Sequence, residues 1–337
     1  MHSYPCIPNF DFFDTPSFLL SSLHLTSAIS TPIYCLGVYC ILFKTPEVMR
    51  SVKWYLLVQH IWAIVLDYLI GVLVMPYVLF PAVAWIPNGV FTWAGVPAYV
   101  QNLLMLVAMC CIGISTISTY ENRFYILCEF RKKKSHWTVI RWFWLLGHYL
   151  LITVVLTIVA LRIPEQSTAK REAFRILQCL PGYIYEAEVF VLSYDMNFVL
   201  LATTIGGGIA TVEIAFFIVC LSYNAVCQLN RFNISLATYR MQKAFLVALV
   251  IQTTIPTFML ILSLAVFEAI VVFKYQNQAA INFGTIFVAC HGLVSTVVML
   301  SVHRPYRLAC RQLIRMELKS GPLHESRKQV KSTIVNS

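Results

Sequence analysis

Charged side chains are scarce in this chain, and their scarcity decides its class. Only 12% of the 337 residues are Asp, Glu, Lys or Arg, whereas 59% are hydrophobic. With so few charged residues, the chain has no room for a separate soluble domain. This composition indicates a chain that is spent almost wholly inside a membrane.

The short motifs of the common enzyme classes are also absent. The sequence contains no Gly-x-Ser-x-Gly, no His-Glu-x-x-His, no Cys-x-x-Cys and no glycine-rich phosphate loop. We therefore expect neither an enzyme nor a bound metal or cofactor.

A cleavable signal peptide is not visible, because residues 1–17 have no basic segment and contain three prolines. The first apolar stretch then has to serve as the insertion signal.

Seven long apolar stretches make up most of the chain. Each can cross a hydrocarbon core of about 30 Å, which takes roughly 20 helical residues. We expect an all-α membrane protein, a bundle of seven transmembrane helices over residues 18–302. The stretches are 18–43, 54–80, 98–120, 142–161, 199–222, 244–270 and 282–302.

The basic residues predict the orientation of this bundle. Twenty of the 25 Lys and Arg residues lie in the first, third and fifth connecting loops and the C-terminal tail, and five lie elsewhere. Because Lys and Arg are enriched on the cytoplasmic side, residues 1–17 should be extracellular and the tail 303–337 cytoplasmic. The net charge of +10 then matches a bilayer with an anionic inner leaflet, and we expect no nucleic-acid partner.

Three acidic residues lie within the stretches: Asp67, Glu213 and Glu268. Charges in lipid are costly and usually mark a functional path. Asp67 falls near the middle of the second stretch. We expect it to form a polar cluster with His291 and Ser295 that holds two packings of the bundle apart or binds an ion or a proton. The alternative is a protonated Asp67 that is hydrogen-bonded to a neighbour.

The cytoplasmic end of the third stretch predicts a docking face. The arginine can pair with the acid two residues before it, or with a neighbouring helix, in one state, and it can be released to a partner in another. The alternative for the basic run that follows is ordinary anchoring to lipid headgroups. The residues of this face are Glu121, Asn122, Arg123, Arg131, Lys132 and Lys133.

These features resemble a known family. Seven spans, an outside N-terminus and a Glu-x-Arg at the end of the third span are similar to the G-protein-coupled receptors. Between about residues 18 and 315 the chain resembles, more narrowly, the nematode serpentine chemoreceptors of class H. The stretches that carry this resemblance are Pro32-Ile33-Tyr34-Cys35, Tyr39-Cys40-Ile41-Leu42-Phe43-Lys44-Thr45-Pro46, Ser51-Val52-Lys53-Trp54, Glu121-Asn122-Arg123, His291-Gly292-Leu293 and His303-Arg304-Pro305-Tyr306-Arg307.

The resemblance implies a chemosensory receptor of the plasma membrane, located in sensory cilia, that couples an external small molecule or peptide to a heterotrimeric G protein. The rival classes are a proton- or ion-coupled transporter, which would use the intramembrane carboxylates, and a ligand-gated channel. A pocket should lie between the outer halves of the spans. From depth alone, its candidate walls are Gln101, Asn102, Met105, Thr203, Thr204 and Glu268.

The chain also departs from the rhodopsin-like receptors. Its seventh stretch has no Asn-Pro-x-x-Tyr and no lysine, and its sixth carries Pro256 without a Cys-Trp-x-Pro. The missing lysine excludes a retinal Schiff base in the seventh span. Details of activation therefore cannot be transferred from that group.

Two predictions concern cysteines. Cys6 and Cys179 are the cysteines that fall in segments predicted to be extracellular, where they could form a disulfide; two free or separately paired thiols are the alternative. Cys310 lies in a segment that predicts a short amphipathic helix at about 304–316 along the inner membrane surface. With its side chain toward lipid, Cys310 would be a candidate for palmitoylation.

Overall fold

The structure, a computed structural model, describes residues 10–129, 134–177, 179–193, 196–231 and 236–320. Within these residues six single helices are long and apolar enough to cross a membrane. A seventh span consists of two shorter helices that meet at 40°. The predicted bundle of seven spans is therefore confirmed.

The spans are longer than the apolar stretches at several ends, because polar turns extend the helices beyond the hydrocarbon. The first span shows a typical start: Thr15 accepts a hydrogen bond from the N–H of Phe18, and Pro16 occupies the first turn. The spans, in order, are α1 Pro16–Phe43, α2 Arg50–Tyr68 with a π-helical turn Leu69–Leu73, α4 Ala98–Glu129, α5 Lys134–Leu161, α8 Met196–Arg231, α9 Leu236–Val272, and the pair α10 Gln278–Ala289 and α11 His291–Val302.

The second span ends earlier than the apolar pattern predicts. The stretch 54–80 is helical only as far as Leu73. Met75 then takes a positive φ of 47°, and Pro76, which has no N–H to continue the helix, begins a strand. Hydropathy does not separate a buried strand from a helix, so the prediction is wrong in the length of this span.

A lid covers one end of the bundle, which we call the lid end; the opposite end is the tail end. The lid contains three short helices and a three-stranded antiparallel sheet, in which the strands lie side by side in chain order. This sheet is an addition to the predicted all-α bundle. The elements of the lid are β1 Pro76–Leu79, β2 Ala84–Pro87, α3 Val90–Trp93, α6 Gln166–Ile176, α7 Gly182–Glu186 and β3 Phe190–Val191.

The lid and the bundle share one hydrophobic core. Tyr77 and Trp85 of the sheet are buried in the same cluster as Leu19 and Leu23 of α1. The hydroxyl of Tyr77 also donates to the carbonyl of Asp14, 2.6 Å away, just before the first span. Because the core is continuous, the lid is an integral part of the folded bundle.

A side chain closes the edge of the lid sheet. The amide of Gln166 donates to the carbonyl oxygen of Val191 at 3.1 Å and accepts the N–H of the same residue at 2.9 Å. These two bonds satisfy backbone groups that an edge strand otherwise leaves open.

The last described helix, α12 Arg304–Ser320, lies at the tail end and packs against α1 and α11. It extends four residues beyond the predicted 304–316. Tyr306 is buried, and its hydroxyl lies 2.8 Å from that of Thr45. Cys310 packs, partly buried, against the same cluster as Tyr306. The prediction that Cys310 faces lipid is therefore wrong, because this face of the helix packs on the first span.

The fourth span is the least embedded part of the bundle. From residue 142 to 161 no side chain is buried. Its ion pairs lie on one side: Arg141 lies 2.9 Å from Glu121 of the third span, and His148 lies 3.0 Å from Glu213 of the fifth. Arg141 and His148 are seven residues apart and so share one helix face. That face attaches the helix, and its remaining surface is open to lipid.

Candidate functional site

The first polar cluster lies where the seventh span breaks. Oδ2 of Asp67 accepts hydrogen bonds from the N–H of Gly292 at 2.9 Å and of Leu293 at 3.3 Å, and from the hydroxyl of Tyr34. Its Oδ1 lies 3.5 Å from Nδ1 of His291. Neither of these last two atoms has a hydrogen-bond partner among the described residues. The structure thus brings Asp67 and His291 together, as the sequence predicts.

Asp67 does not lie at the middle of its span. It is the eighteenth of the 24 residues in the second span, Arg50–Leu73, and so lies nearer the lid end. The predicted central position is wrong because the helix stops at Leu73. The polar cluster therefore lies between the lid and the middle of the bundle.

Ser295, the third predicted member, lies outside this cluster. It is partly exposed and makes no hydrogen bond to Asp67 within the described part of the chain. The next residue, Thr296, takes the inward position, with its hydroxyl 3.4 Å from Nδ1 of His60. Adjacent helical residues differ in direction by about 100°, so a shift of one residue changes the face. His60 joins the cluster through its Nε2, 3.5 Å from the carbonyl oxygen of Tyr34.

At the tail end, Glu121 pairs with an arginine other than the one predicted. Its buried carboxylate accepts hydrogen bonds from Arg141 and from the indole N–H of Trp137, both at 2.9 Å. Arg141 also donates to the hydroxyl of Tyr55 at 3.0 Å. The predicted pair between Glu121 and Arg123 is absent from the described structure. Helical residues two apart do not face each other, which explains the error.

Arg123 faces the sixth span instead. Its guanidinium carbon lies 3.6 Å from the centroid of the Phe245 ring, a cation–π contact. Its Nε and Nη2 atoms are buried and have no hydrogen-bond partner among the described residues. Asn122 turns in a third direction and donates to the carbonyl of Ser51 at 3.1 Å. The three predicted residues therefore contact three different parts of the bundle.

His303 lies next to this arginine, just after the seventh span. Its Nε2 lies 2.7 Å from Oε1 of Gln252, and its ring packs against Phe245 with 5.7 Å between centroids. Burial and, second, the positive charge of Arg123 lower the pKa of His303 from 6.5 to about 4. The imidazole is therefore neutral near pH 7 and adds no second charge beside Arg123.

The residues predicted to line a ligand pocket form two groups near the lid end. Thr203 and Thr204 of the fifth span donate to one oxygen of Glu268 at 2.9 Å and 3.3 Å. Gln101 and Asn102 of the third span are buried, and each keeps one buried polar atom without a described partner, Oε1 and Nδ2 respectively. No hydrogen bond between described residues joins the two groups.

The remaining predicted residues are placed as follows. Met105 packs against the core that the lid shares with the bundle. Cys179 is disulfide-bonded, whereas its predicted partner Cys6 lies outside the described residues. The basic residues 131–133 also lie outside them.

Sequence reasoning missed the partners of the residues it selected. Tyr34, Arg141 and Phe245 have no signal of their own. Tyrosine and phenylalanine are common within membrane spans, and arginine is common just outside them. The pair of His148 and Glu213 has a weak signal, since both lie near the middle of apolar stretches where lipid cannot satisfy them. Pairing them requires the order of the helices around the bundle, which the sequence does not supply.

Comparison with known proteins decides the family. A family model described as "Serpentine type 7TM GPCR chemoreceptor Srh" matches residues 14–316, which is most of the chain. The chain belongs to this family. A relative, serpentine receptor class H-72 of Caenorhabditis elegans, is 27% identical to this class H receptor over 317 residues, which cover 92% of the receptor and 90% of that relative. The family is one of multi-pass chemosensory receptors, so it does not favour a transporter or a channel.

In this serpentine receptor the two polar clusters each join several spans of the bundle. The cluster around Asp67 joins the first, second and seventh spans. The cluster around Arg123 joins the third and sixth spans, with His303 at the end of the seventh. The seventh span therefore connects both clusters of the chemoreceptor.

Proposed function

We propose that this receptor detects an external small molecule or peptide at its lid end and activates a heterotrimeric G protein at its tail end. The lid end faces outward, because twenty of the 25 basic residues lie in the loops and tail at the opposite end. The plasma membrane is its site, with the anionic inner leaflet against the basic tail. We propose sensory cilia as its location, on the basis of its membership in a family of chemoreceptors.

The observation that carries the proposal is the incomplete bonding of Arg123. Each buried donor that lacks an acceptor costs about 1–3 kcal/mol, so the guanidinium is held in an unfavourable state. A partner that presents carbonyl or carboxylate oxygens between the third and sixth spans would complete its bonds. Phe245 would then have to release the guanidinium. Partner binding and a change of packing between the two spans are linked in this way.

Glu121 has a separate role in this proposal. Arg141 and Trp137 hold its carboxylate against the fourth span, so it does not neutralise Arg123. The cation therefore stays available to a partner. The basic residues 131–133 add positive charge that would attract an acidic surface of the G protein.

We place the ligand under the lid, between the third, fifth and sixth spans. Oε1 of Gln101 offers an acceptor and Nδ2 of Asn102 a donor, both buried and without described partners. A polar ligand with one donor and one acceptor would satisfy both atoms. Glu268, held by Thr203 and Thr204, would add a carboxyl group from the sixth span.

The test measures G-protein activation by the full-length receptor in a heterologous cell, with an agonist found in a small-molecule screen. We expect Arg123→Ala to abolish activation while surface expression and agonist binding persist. Arg123→Lys should weaken activation, because Lys keeps the charge but loses the planar, forked donors.

The matched control is Arg240→Ala. Arg240 lies on the sixth span at the same end of the bundle, but its side chain is exposed. The substitution removes the same charge as Arg123→Ala, and the variant receptor should signal almost normally. Full activation by a well-expressed Arg123→Ala receptor would contradict the proposal, as would an equal loss in both variants.

A further inference from the structure

The break in the seventh span leaves two backbone donors without their usual acceptors. Helical bonding within α10 continues to Cys290, and it resumes where the N–H of Val294 bonds to the carbonyl of Cys290 at 3.0 Å. In an unbroken helix the N–H groups of Gly292 and Leu293 would bond to carbonyls four residues earlier. Here both donate to Oδ2 of Asp67, which belongs to the second span.

We propose that Asp67 is a helix cap supplied by a neighbouring span, and that it holds a hinge in the seventh span in its bent state. An Asp is among the best caps for a helix N-terminus, because its oxygens accept from the free N–H groups and face the positive end of the helix dipole. Inside a membrane no water can replace such a cap. The bend and the cap therefore depend on each other. This inference concerns the receptor alone and does not rest on its coupling to a G protein.

The close approach of three spans builds the cap. A Cβ added to Gly292 would lie 2.6 Å from Oδ2 of Asp67, nearer than real Cβ atoms come to such a neighbour. A Cβ on Gly37 of the first span would lie 2.7 Å from Nε2 of His60. The hydroxyl of Tyr34 holds the carboxylate from the side of the first span. Gly292 thus allows the contact that the cap requires, and Gly37 allows the first span to approach His60.

The two halves of the span differ in how they are attached. The half near the lid, α10, is fixed by Gln278, which donates to the carbonyl of Val78 at 2.9 Å, and by Asn282, which donates to the carbonyl of Phe13 at 2.8 Å. The other half, α11, makes no hydrogen bond to the lid or the N-terminal segment among the described residues; it packs against the first, second and sixth spans and leads directly to His303 at the tail end. Loss of the cap should therefore move α11 and leave α10 in place.

The expected movement can be bounded from the geometry. The 12 residues of α11 extend over about 18 Å at 1.5 Å per residue. Complete straightening of the 40° bend would displace the far end by about 12 Å, and packing against the sixth span reduces this value. A shift of several ångströms at the tail end is thus the signature of the hinge.

The experiment measures distances between two spin labels in the full-length receptor in lipid nanodiscs, with the accessible free cysteines replaced and Cys179 kept. One label replaces exposed Ser301 on α11, and the reference label replaces exposed Trp54 on α2. We expect Asp67→Leu to shift the distance by several ångströms. Asp67→Asn should leave it unchanged, because an amide oxygen also accepts the two backbone bonds.

Two further variants keep the test decisive if Asp67→Leu does not fold. Gly292→Ala pushes the carboxylate away and should shift the distance as Asp67→Leu does. Tyr34→Phe removes one bond to the carboxylate but neither backbone bond, so the distance should stay. A label on Phe283 of α10, measured against the same reference, should stay in all variants.

The outcomes separate a cap from a charge effect. An unchanged distance in both folded Asp67→Leu and folded Gly292→Ala receptors would overturn the hinge. An equal shift in Asp67→Asn and Asp67→Leu would also overturn it. In that case the charge opposite His291, rather than the capping bonds, would hold the bend.

Discussion

Removal of the Glu121 side chain should destabilise the receptor strongly. The Glu121 side chain has no exposed surface, and that of Arg141 is 10% exposed. Truncation to Ala leaves the guanidinium of Arg141 and the indole N–H of Trp137 without this acceptor. Breaking a buried ion pair by removing one partner typically costs about 3–5 kcal/mol. Because Arg141 keeps its bond to Tyr55, we expect about 3 kcal/mol, the lower end of this range.

A double-mutant cycle isolates the pair from its packing. When Glu121→Leu is combined with Arg141→Leu, both charges are removed, so the double variant should lose less stability than the sum of the single variants. The coupling energy should be about 2 kcal/mol or more. The assay is the free energy of unfolding from SDS titration in mixed micelles, followed by circular dichroism.

The control is the same cycle with Arg123, two residues from Glu121. Its coupling to Glu121 should lie within about 0.5 kcal/mol of zero, because the two side chains face different spans. A strong coupling between Glu121 and Arg123, with none between Glu121 and Arg141, would refute the reasoning. It would show that Glu121 forms the local pair that its spacing suggests.

Two other predictions concern pH and covalent structure. Folded His303 has a pKa of about 4 and an unfolded histidine about 6.5, so the unfolded state binds more protons below pH 6.5. The contribution of His303 to stability should therefore fall as the pH decreases from about 6.5 towards 4, by at most about 3 kcal/mol, and His303→Gln should reduce the pH dependence in SDS titrations across that range by this contribution. For the disulfide of Cys179, we expect non-reducing peptide mapping to recover a peptide linked to Cys6; a free thiol at either position would refute the link.

The number of spans could be predicted because each span needs about 20 apolar residues, whatever its neighbours are. The proximity of Glu268 to Thr203 and Thr204 could be predicted for a similar reason, because these residues lie at similar depths in adjacent spans. The lid was not, because its strands of two to four residues are too short to show a period. The depth of a residue is therefore readable from the sequence where the ends of its span are, as they are not for Asp67, whereas short strands between the spans are not readable.

The partners of the selected residues depend on rotation about the helix axis, which the sequence does not specify. Glu121 meets Arg141 only because the third and fourth spans pack with those faces together. The exchange of Ser295 for Thr296 has the same cause, since the two residues are adjacent and only the packing of the seventh span against the second decides which of them faces inward.

The exposed fourth span has a consequence for variation among receptors of this kind. Lipid tails accept Leu, Ile, Val or Phe with little preference, so substitutions among these residues from 142 to 161 should be nearly neutral. Arg141 and His148 do not share this freedom, because each anchors the helix to a carboxylate of another span. We expect the sequence of this helix to drift widely while these two polar positions stay constrained. Its polar anchors, rather than its overall hydrophobicity, then determine where the fourth helix docks.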